Sequence, residues 1–139
     1  MLLTSSRFGT LEVPDEAIVE FPSGLVGLGG SRYALLERDG AGAFLWLQSI
    51  DDPDLALPVV DPWRYFPDYR LELTEADAAR VGGADPDATA LYVTVRAADN
   101  ADGFSANLRA PIVIVGATGH QLINQADDAP VRAPLHAAA

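Results

Sequence analysis

The residues able to do chemistry in this 139-residue chain are few and poorly placed for it. His120 and His136 are the two histidines, and neither has a second ligand nearby at a metal-binding spacing. The chain has no cysteine, which removes disulfides, thiolate metal sites and cysteine nucleophiles together. Ser49 and Ser105 lie in no motif that marks a nucleophile elbow. Asp51, Asp52, Asp54 and Asp61 could supply a divalent cation or an acid/base pair, but their spacing matches no Ca²⁺ loop. They gather around Pro53 and Pro62, where turns recruit aspartate, so turn or solvated surface is their expected role. The run from Val113 to Gly119 resembles the opening of a dinucleotide site, except that Leu122 stands where the third glycine belongs. Only 20 residues follow Gly119, too few for a helix, a second strand and the ribose-binding acid, so a hairpin turn is expected there. Gly24, Gly27, Gly29 and Gly30 are not followed by Gly-Lys-Ser/Thr, which leaves a loop between two strands rather than a phosphate cradle. No catalytic residue, metal or cofactor is expected.

What stands out instead is chemistry suited to recognition. Trp63-Arg64-Tyr65-Phe66-Pro67-Asp68-Tyr69 is the densest aromatic segment of the chain. Buried packing and a partner-binding anchor both explain it, because aromatics and arginine concentrate in interface hot spots. Nine basic residues, all arginine, stand against 20 acidic ones, a net charge of −11. Such a surface repels phosphate backbones, so direct nucleic-acid binding is excluded on charge, while a basic protein partner is attracted.

The elements that must position these residues are strands. Leu91, Val93, Val95 and Ala97 alternate with Tyr92, Thr94 and Arg96, a half-buried antiparallel pattern. Phe8, Leu11 and Val13 lie in a similar segment around Gly9, and further strands are expected at 18–21, 33–37 and 43–49. The last is apolar on both faces, as a central strand is. Ala56 to Val60 contains Pro58, which argues for an edge or a bulge. Segments 69–73, 104–108, 112–115 and 121–124 complete the set. Short strands separated by Asp/Gly/Pro turns suggest a sandwich or barrel. One helix is expected over 74–81, capped by Thr74, with Glu75 and Asp77 at its positive end and Gly82 after its end. One helix cannot supply parallel crossovers, so the fold class is all-β and antiparallel. A single domain over 1–125 is expected, followed by a proline/alanine-rich tail over 126–139 that frays at its end.

No basic n-region with an apolar stretch opens the chain, and no run approaches 18 apolar residues. A soluble cytoplasmic protein without membrane contact is the expectation.

The order of segments resembles the FliW family of bacterial flagellar assembly factors. The resemblance is carried by Phe8-Gly9 with Leu11, by Ile18-Val-Glu-Phe-Pro-Ser-Gly-Leu25 and by Phe44-Leu-Trp-Leu-Gln-Ser49. It continues through Asp61-Pro62, Phe66-Pro-Asp-Tyr69, Asn107-Leu-Arg-Ala-Pro-Ile112 and Val131-Arg-Ala-Pro-Leu135. The family continues differently after Leu25, where this chain reads Val26-Gly27-Leu28-Gly29-Gly30. The resemblance implies a small antiparallel β-barrel-like domain without catalysis, monomeric when free. It implies flagellin as a cytoplasmic partner and, on release from flagellin, capture of the translational regulator CsrA, which lifts repression of flagellin mRNA. The alternative is an acidic β-barrel module, chaperone or inhibitor, for another basic partner. Partner-binding residues are expected among Trp63, Tyr65, Phe66, Asp68, Tyr69, Asn107, Leu108 and Arg109. Asn107 has a second reading, as a turn residue hydrogen-bonded to backbone.

Overall fold

A computed structural model describes residues 1–25, 31–37, 45–81, 89–97 and 104–135. Its strands are β1 (Leu2–Ser5), β2 (Gly9–Glu12), β3 (Ile18–Glu20), β4 (Arg32–Glu37), β5 (Leu45–Ser49) and β6 (Ala56–Val60). They continue as β7 (Thr89–Ala97), β8 (Phe104–Ala106), β9 (Ile112–Val115), β10 (Thr118–Gln121) and β11 (Ala133–Leu135). Two short helices, α1 (Pro62–Tyr65) and α2 (Glu75–Val81), and a 3₁₀ turn at Asp15–Ala17 complete the described elements.

Seven strands close a barrel in the order β7-β6-β5-β4-β3-β10-β9, because β9 returns to pair with β7. Neighbours are antiparallel except at the seam, where β10 meets β3 in parallel through Thr118 opposite Glu20. The Glu20 amide donates to the Ala117 carbonyl there at 2.8 Å. Period-two alternation decides what faces inward. Tyr33, Leu47 and Val59 point into the barrel with Val19, Phe21, Ile112 and Ile114, and all of them are buried. Residues of opposite parity face outward, and two coverings bury most of those described. The β1–β2 hairpin lays Leu3 and Val13 over Ala34 and Leu36, with Phe8 and Trp46 packed against them. On the other side, Tyr69, Leu108, Ala126, Ala129 and Ala133 cover Val60, Val93 and Val95.

β5 is central, flanked by β4 and β6; residues 43 and 44 of the expected strand lie outside the described residues. β6 is also internal, and Pro58 is tolerated in it for a local reason. Pro58 lies opposite Trp46 on β5, but the β6–β7 pairing begins only at Val59. The missing donor therefore falls where no ladder bond is required of it. The hairpin expected between 113 and 119 forms, with Gly116 at φ 61° in its turn. Its second strand is Thr118–Gln121 rather than 121–124. The expected strand at 69–73 is extended chain without a ladder, because its polar groups bond elsewhere: the Glu72 amide to the Asn124 side chain, and the Glu72 carbonyl to the Gln125 amide. The strand expected over 104–108 stops at Ala106, where Asn107 begins a turn. β1, unmarked by any alternation strong enough to read, is pinned when Ser5 Oγ donates to buried Gln48 Oε1 at 2.7 Å. The helix expected over 74–81 spans Glu75–Val81, and Thr74 Oγ1 accepts from the Asp77 amide at 3.2 Å; Gly82 lies outside the described residues. Past residue 125 the chain does not leave the barrel: Ala126, Ala129 and Ala133 are buried and β11 pairs with β8. Residues 136–139 lie outside the described residues.

Candidate partner-binding site

Asp61 starts the site. Its extended backbone and side chain cap α1, Oδ1 accepting from the Trp63 amide at 2.9 Å, and Pro62 fills the first helical position where no donor is needed. One turn later the chain reverses, the Phe66 amide donating to the Pro62 carbonyl and the Tyr69 amide to the Phe66 carbonyl. This tight path places the aromatic side chains of Tyr65, Phe66 and Tyr69 together on the outer face of the barrel, packed against Val60, Val93 and Val95.

Tyr69 is the pivot. Its ring meets Trp63 edge to face at 5.7 Å between centroids, and Trp63 Nε1 donates to the Tyr69 carbonyl at 2.9 Å. The Tyr69 hydroxyl donates to the Leu108 carbonyl at 3.0 Å, which ties the aromatic segment to the Asn107–Arg109 stretch 39 residues away. Burial raises the Tyr69 pKa, partly opposed by the hydrogen bond from Asn124, so the phenol keeps the proton that this bond needs. The Asn107–Arg109 stretch is itself a turn: Asn107 Oδ1 accepts from the Arg109 and Ala110 amides at 3.0 and 3.2 Å.

Tyr65, Phe66, Asp68, Tyr69 and Leu108 come together around one cleft of about 310 Å³, completed by Pro67 and Asp128. Its walls are aromatic and aliphatic, and two carboxylates stand on its rim. The other three expected residues line no part of it. Trp63, 44% exposed, braces Tyr69 from behind. Asn107 serves its own turn, and Arg109 Nη1 donates to the Asn124 carbonyl at 2.8 Å.

Two residues of the site had no sign in the sequence. Asp128 reads there as part of a tail. Asn124, fully buried, holds the site together: Nδ2 donates to the Tyr69 hydroxyl (3.1 Å), the Arg70 carbonyl (2.8 Å) and the Leu108 carbonyl (3.4 Å). Oδ1 accepts from the amides of Glu72 and Ala126, both at 3.0 Å. A single asparagine between two isolated segments carries no spacing signal; only the folded chain shows what it joins.

The aspartates around Pro53 are turn residues: Asp52 Oδ1 accepts from the Asp54 amide, and Ser49 Oγ from the Asp52 amide. Among the described residues no three His, Asp or Glu side chains gather as a metal site. No helix of the described residues is long and apolar enough to cross a membrane. His120 sits on β10, its Nδ1 buried without a hydrogen-bond partner.

Comparison with known proteins places this architecture. The family model described as "FliW protein" matches residues 2–135. The flagellar assembly factor FliW of Heliobacterium modesticaldum is 36% identical over 115 residues, 82% of this chain and 75% of that protein. That of Syntrophus aciditrophicus is 38% identical, covering 82% and 73%. That of Bdellovibrio bacteriovorus is 32% identical over 138 residues, covering 97% and 79%. A crystal structure of the flagellar assembly factor FliW superposes with a TM-score of 0.84 at 29% identity, covering 99% of this chain and 98% of that one.

Proposed function

The chain belongs to the FliW family of flagellar assembly factors, and from that premise we propose that it works in the cytoplasm without catalysis, by holding one protein partner or another. The first partner is flagellin. The second is CsrA, the translational regulator, bound and antagonised once flagellin has left, so that repression of flagellin mRNA is lifted. Mass action takes the place of active-site chemistry: whichever partner occupies the protein sets how much CsrA remains free to act on RNA.

The observation that carries this reading is the cleft. Apolar walls from Tyr65, Phe66, Tyr69 and Leu108 would bury an apolar anchor, and exposed Asp68 favours a basic neighbour, while Asp128 stands 3.9 Å from the Arg70 guanidinium. Around it lies a chain of net charge −11, which speeds encounter with a basic RNA-binding protein and makes that encounter salt-sensitive. Asn124 and Tyr69 hold the walls rigid before binding, so little ordering is left to oppose association.

Size-exclusion chromatography of the protein mixed with flagellin, and separately with a CsrA-type regulator, tests the reading. Co-elution with each is expected. No complex with either would leave an acidic β-barrel module for some other basic partner.

A further inference from the structure

Among the described residues, the two coverings of the barrel belong to separate buried clusters. Among the described residues, the outward side chains Trp46 and Pro58, opposite each other in the register, lie in the gap between the β1–β2 hairpin and the C-terminal covering. The gap is a groove of about 430 Å³. Arg7, from the turn that follows β1, lines it together with Arg96 and Phe104, from β7 and β8. The groove is separate from the aromatic cleft and shares no lining residue with it.

Its charge runs against that of the rest of the protein. Arg7 and Arg96 line it, and among the described residues no Asp or Glu does. Arg32, Arg70 and Arg80 each stand within 4.0 Å of a carboxylate; among the described residues no carboxylate pairs with Arg7 or Arg96. The Arg7 guanidinium lies 4.6 Å from the centroid of the Trp46 ring, which in turn takes the edge of Phe8 at 5.5 Å. A guanidinium held over an aromatic face at this distance is attracted to the ring and still has N–H groups for a carboxylate. In a molecule of net charge −11, an apolar strip lined by two arginines is where an acidic segment meets attraction instead of repulsion.

We propose that this groove is a second docking site, for an acidic peptide segment that also carries large apolar side chains. The apolar side chain lies over Trp46 and Pro58, and flanking carboxylates pair with Arg7 and Arg96. The site goes beyond the cleft reading, since it selects a ligand of opposite charge.

Calorimetric titration of the full chain tests it, with an octapeptide alternating leucine and glutamate and a counterpart alternating leucine and lysine. The glutamate peptide is expected to bind and the lysine peptide not. Arg7→Gln and Arg96→Gln should each weaken binding about tenfold, as the loss of one charge-assisted hydrogen bond does. Arg7→Lys, which keeps the charge and loses the planar guanidinium, should fall between. Thermal midpoints of the variants separate lost binding from lost folding. Equal binding of both peptides, no binding of the glutamate peptide, or affinities indifferent to the folded Arg7 and Arg96 variants would each overturn the proposal. Co-elution with flagellin and CsrA reads the cleft independently, so the two readings fail separately.

Discussion

Replacing Asn124 with alanine would remove the buried side chain that joins the aromatic segment to the Asn107–Arg109 turn. The residue is fully buried; its two Nδ2 hydrogens are shared among three acceptors, and Oδ1 accepts from two amides. A protein hydrogen bond contributes about 0.5–1.5 kcal/mol net, and a buried group left without a partner costs about 1–3 kcal/mol. The Leu108 carbonyl keeps the Tyr69 hydroxyl as a donor, so it is not orphaned. The amides of Glu72 and Ala126 and the carbonyl of Arg70 lose the bonds that Asn124 made to them. The Ala126 amide is buried, and the other two are part-buried and recover some bonding from water. The loss should then be about 3–4 kcal/mol, a large part of the 5–15 kcal/mol typical of a domain. For a chain of this length each kcal/mol shifts the midpoint by about 2–4 °C, so Tm should fall by roughly 6–16 °C. Urea titration gives the free energy and differential scanning calorimetry the midpoint. Because the lost bonds join the 69–72 segment to Leu108, Asn124→Ala should also weaken partner capture while the chain remains folded. A loss below about 1 kcal/mol would mean that water or a rearranged loop replaces the bonds Asn124 makes, and that it does not hold the segment in place.

Other perturbations address the barrel, its titration and its charge. A Cβ on Gly119 would stand 2.4 Å from Phe21 Cε2 in the filled interior, so Gly119→Ala should cost about 1–3 kcal/mol of overpacking in a urea titration. Burial first, and the Arg80 guanidinium second, hold the His120 pKa below the ordinary imidazole value. The folded chain therefore binds this proton less readily than the unfolded chain, and the associated stability is present above the unfolded value near 6.5 and lost as pH falls. His120→Gln should flatten that acid-side decline in unfolding curves taken between pH 7.5 and about 5; an unchanged slope would contradict it. Stopped-flow association with a CsrA-type regulator should slow as salt is raised from about 0.05 to 0.5 M, where the Debye length shortens several-fold. A salt-independent rate would leave the −11 charge with no part in encounter.

What could be read in advance was whatever repeats along the chain. The alternation at 91–97 and the two-faced apolar run ending at Ser49 foretold β7 and a central β5, and Thr74 with the acids after it foretold α2. Gly116 and its neighbours read as a hairpin for sound reasons, since no helix follows. Segments whose bonding partners are distant in sequence were opaque. Residues 69–73 look like a strand because extended chain and strand share one local pattern; what separates them is Asn124, 52 residues from Glu72, taking the ladder's place. The run from 126 reads as a tail because alanine and proline are weak signals of burial, yet Ala126, Ala129 and Ala133 are buried in one cluster with Val93 and Val95. The aromatic segment 63–69 was visible as composition, but its division of labour was not. Trp63 braces while Phe66 and Asp68 line the cleft, and that depends on the one-turn helix that Asp61 caps.

If the cleft of Phe66, Asp68 and Leu108 holds the protein's partners, calorimetric titration of flagellin and of a CsrA-type regulator into the wild-type chain, Phe66→Ala and Asp68→Lys will show it. Phe66 is partly buried, so its variant removes an anchor together with some packing; Asp68 is exposed, so its reversal alters charge at the rim and leaves the core intact. Removal of a hot-spot side chain costs about 2 kcal/mol or more, so Phe66→Ala should weaken at least one partner by more than tenfold. Asp68→Lys should weaken the basic partner with an unchanged thermal midpoint. Wild-type affinity of both variants for both partners would mean that neither partner binds at the cleft.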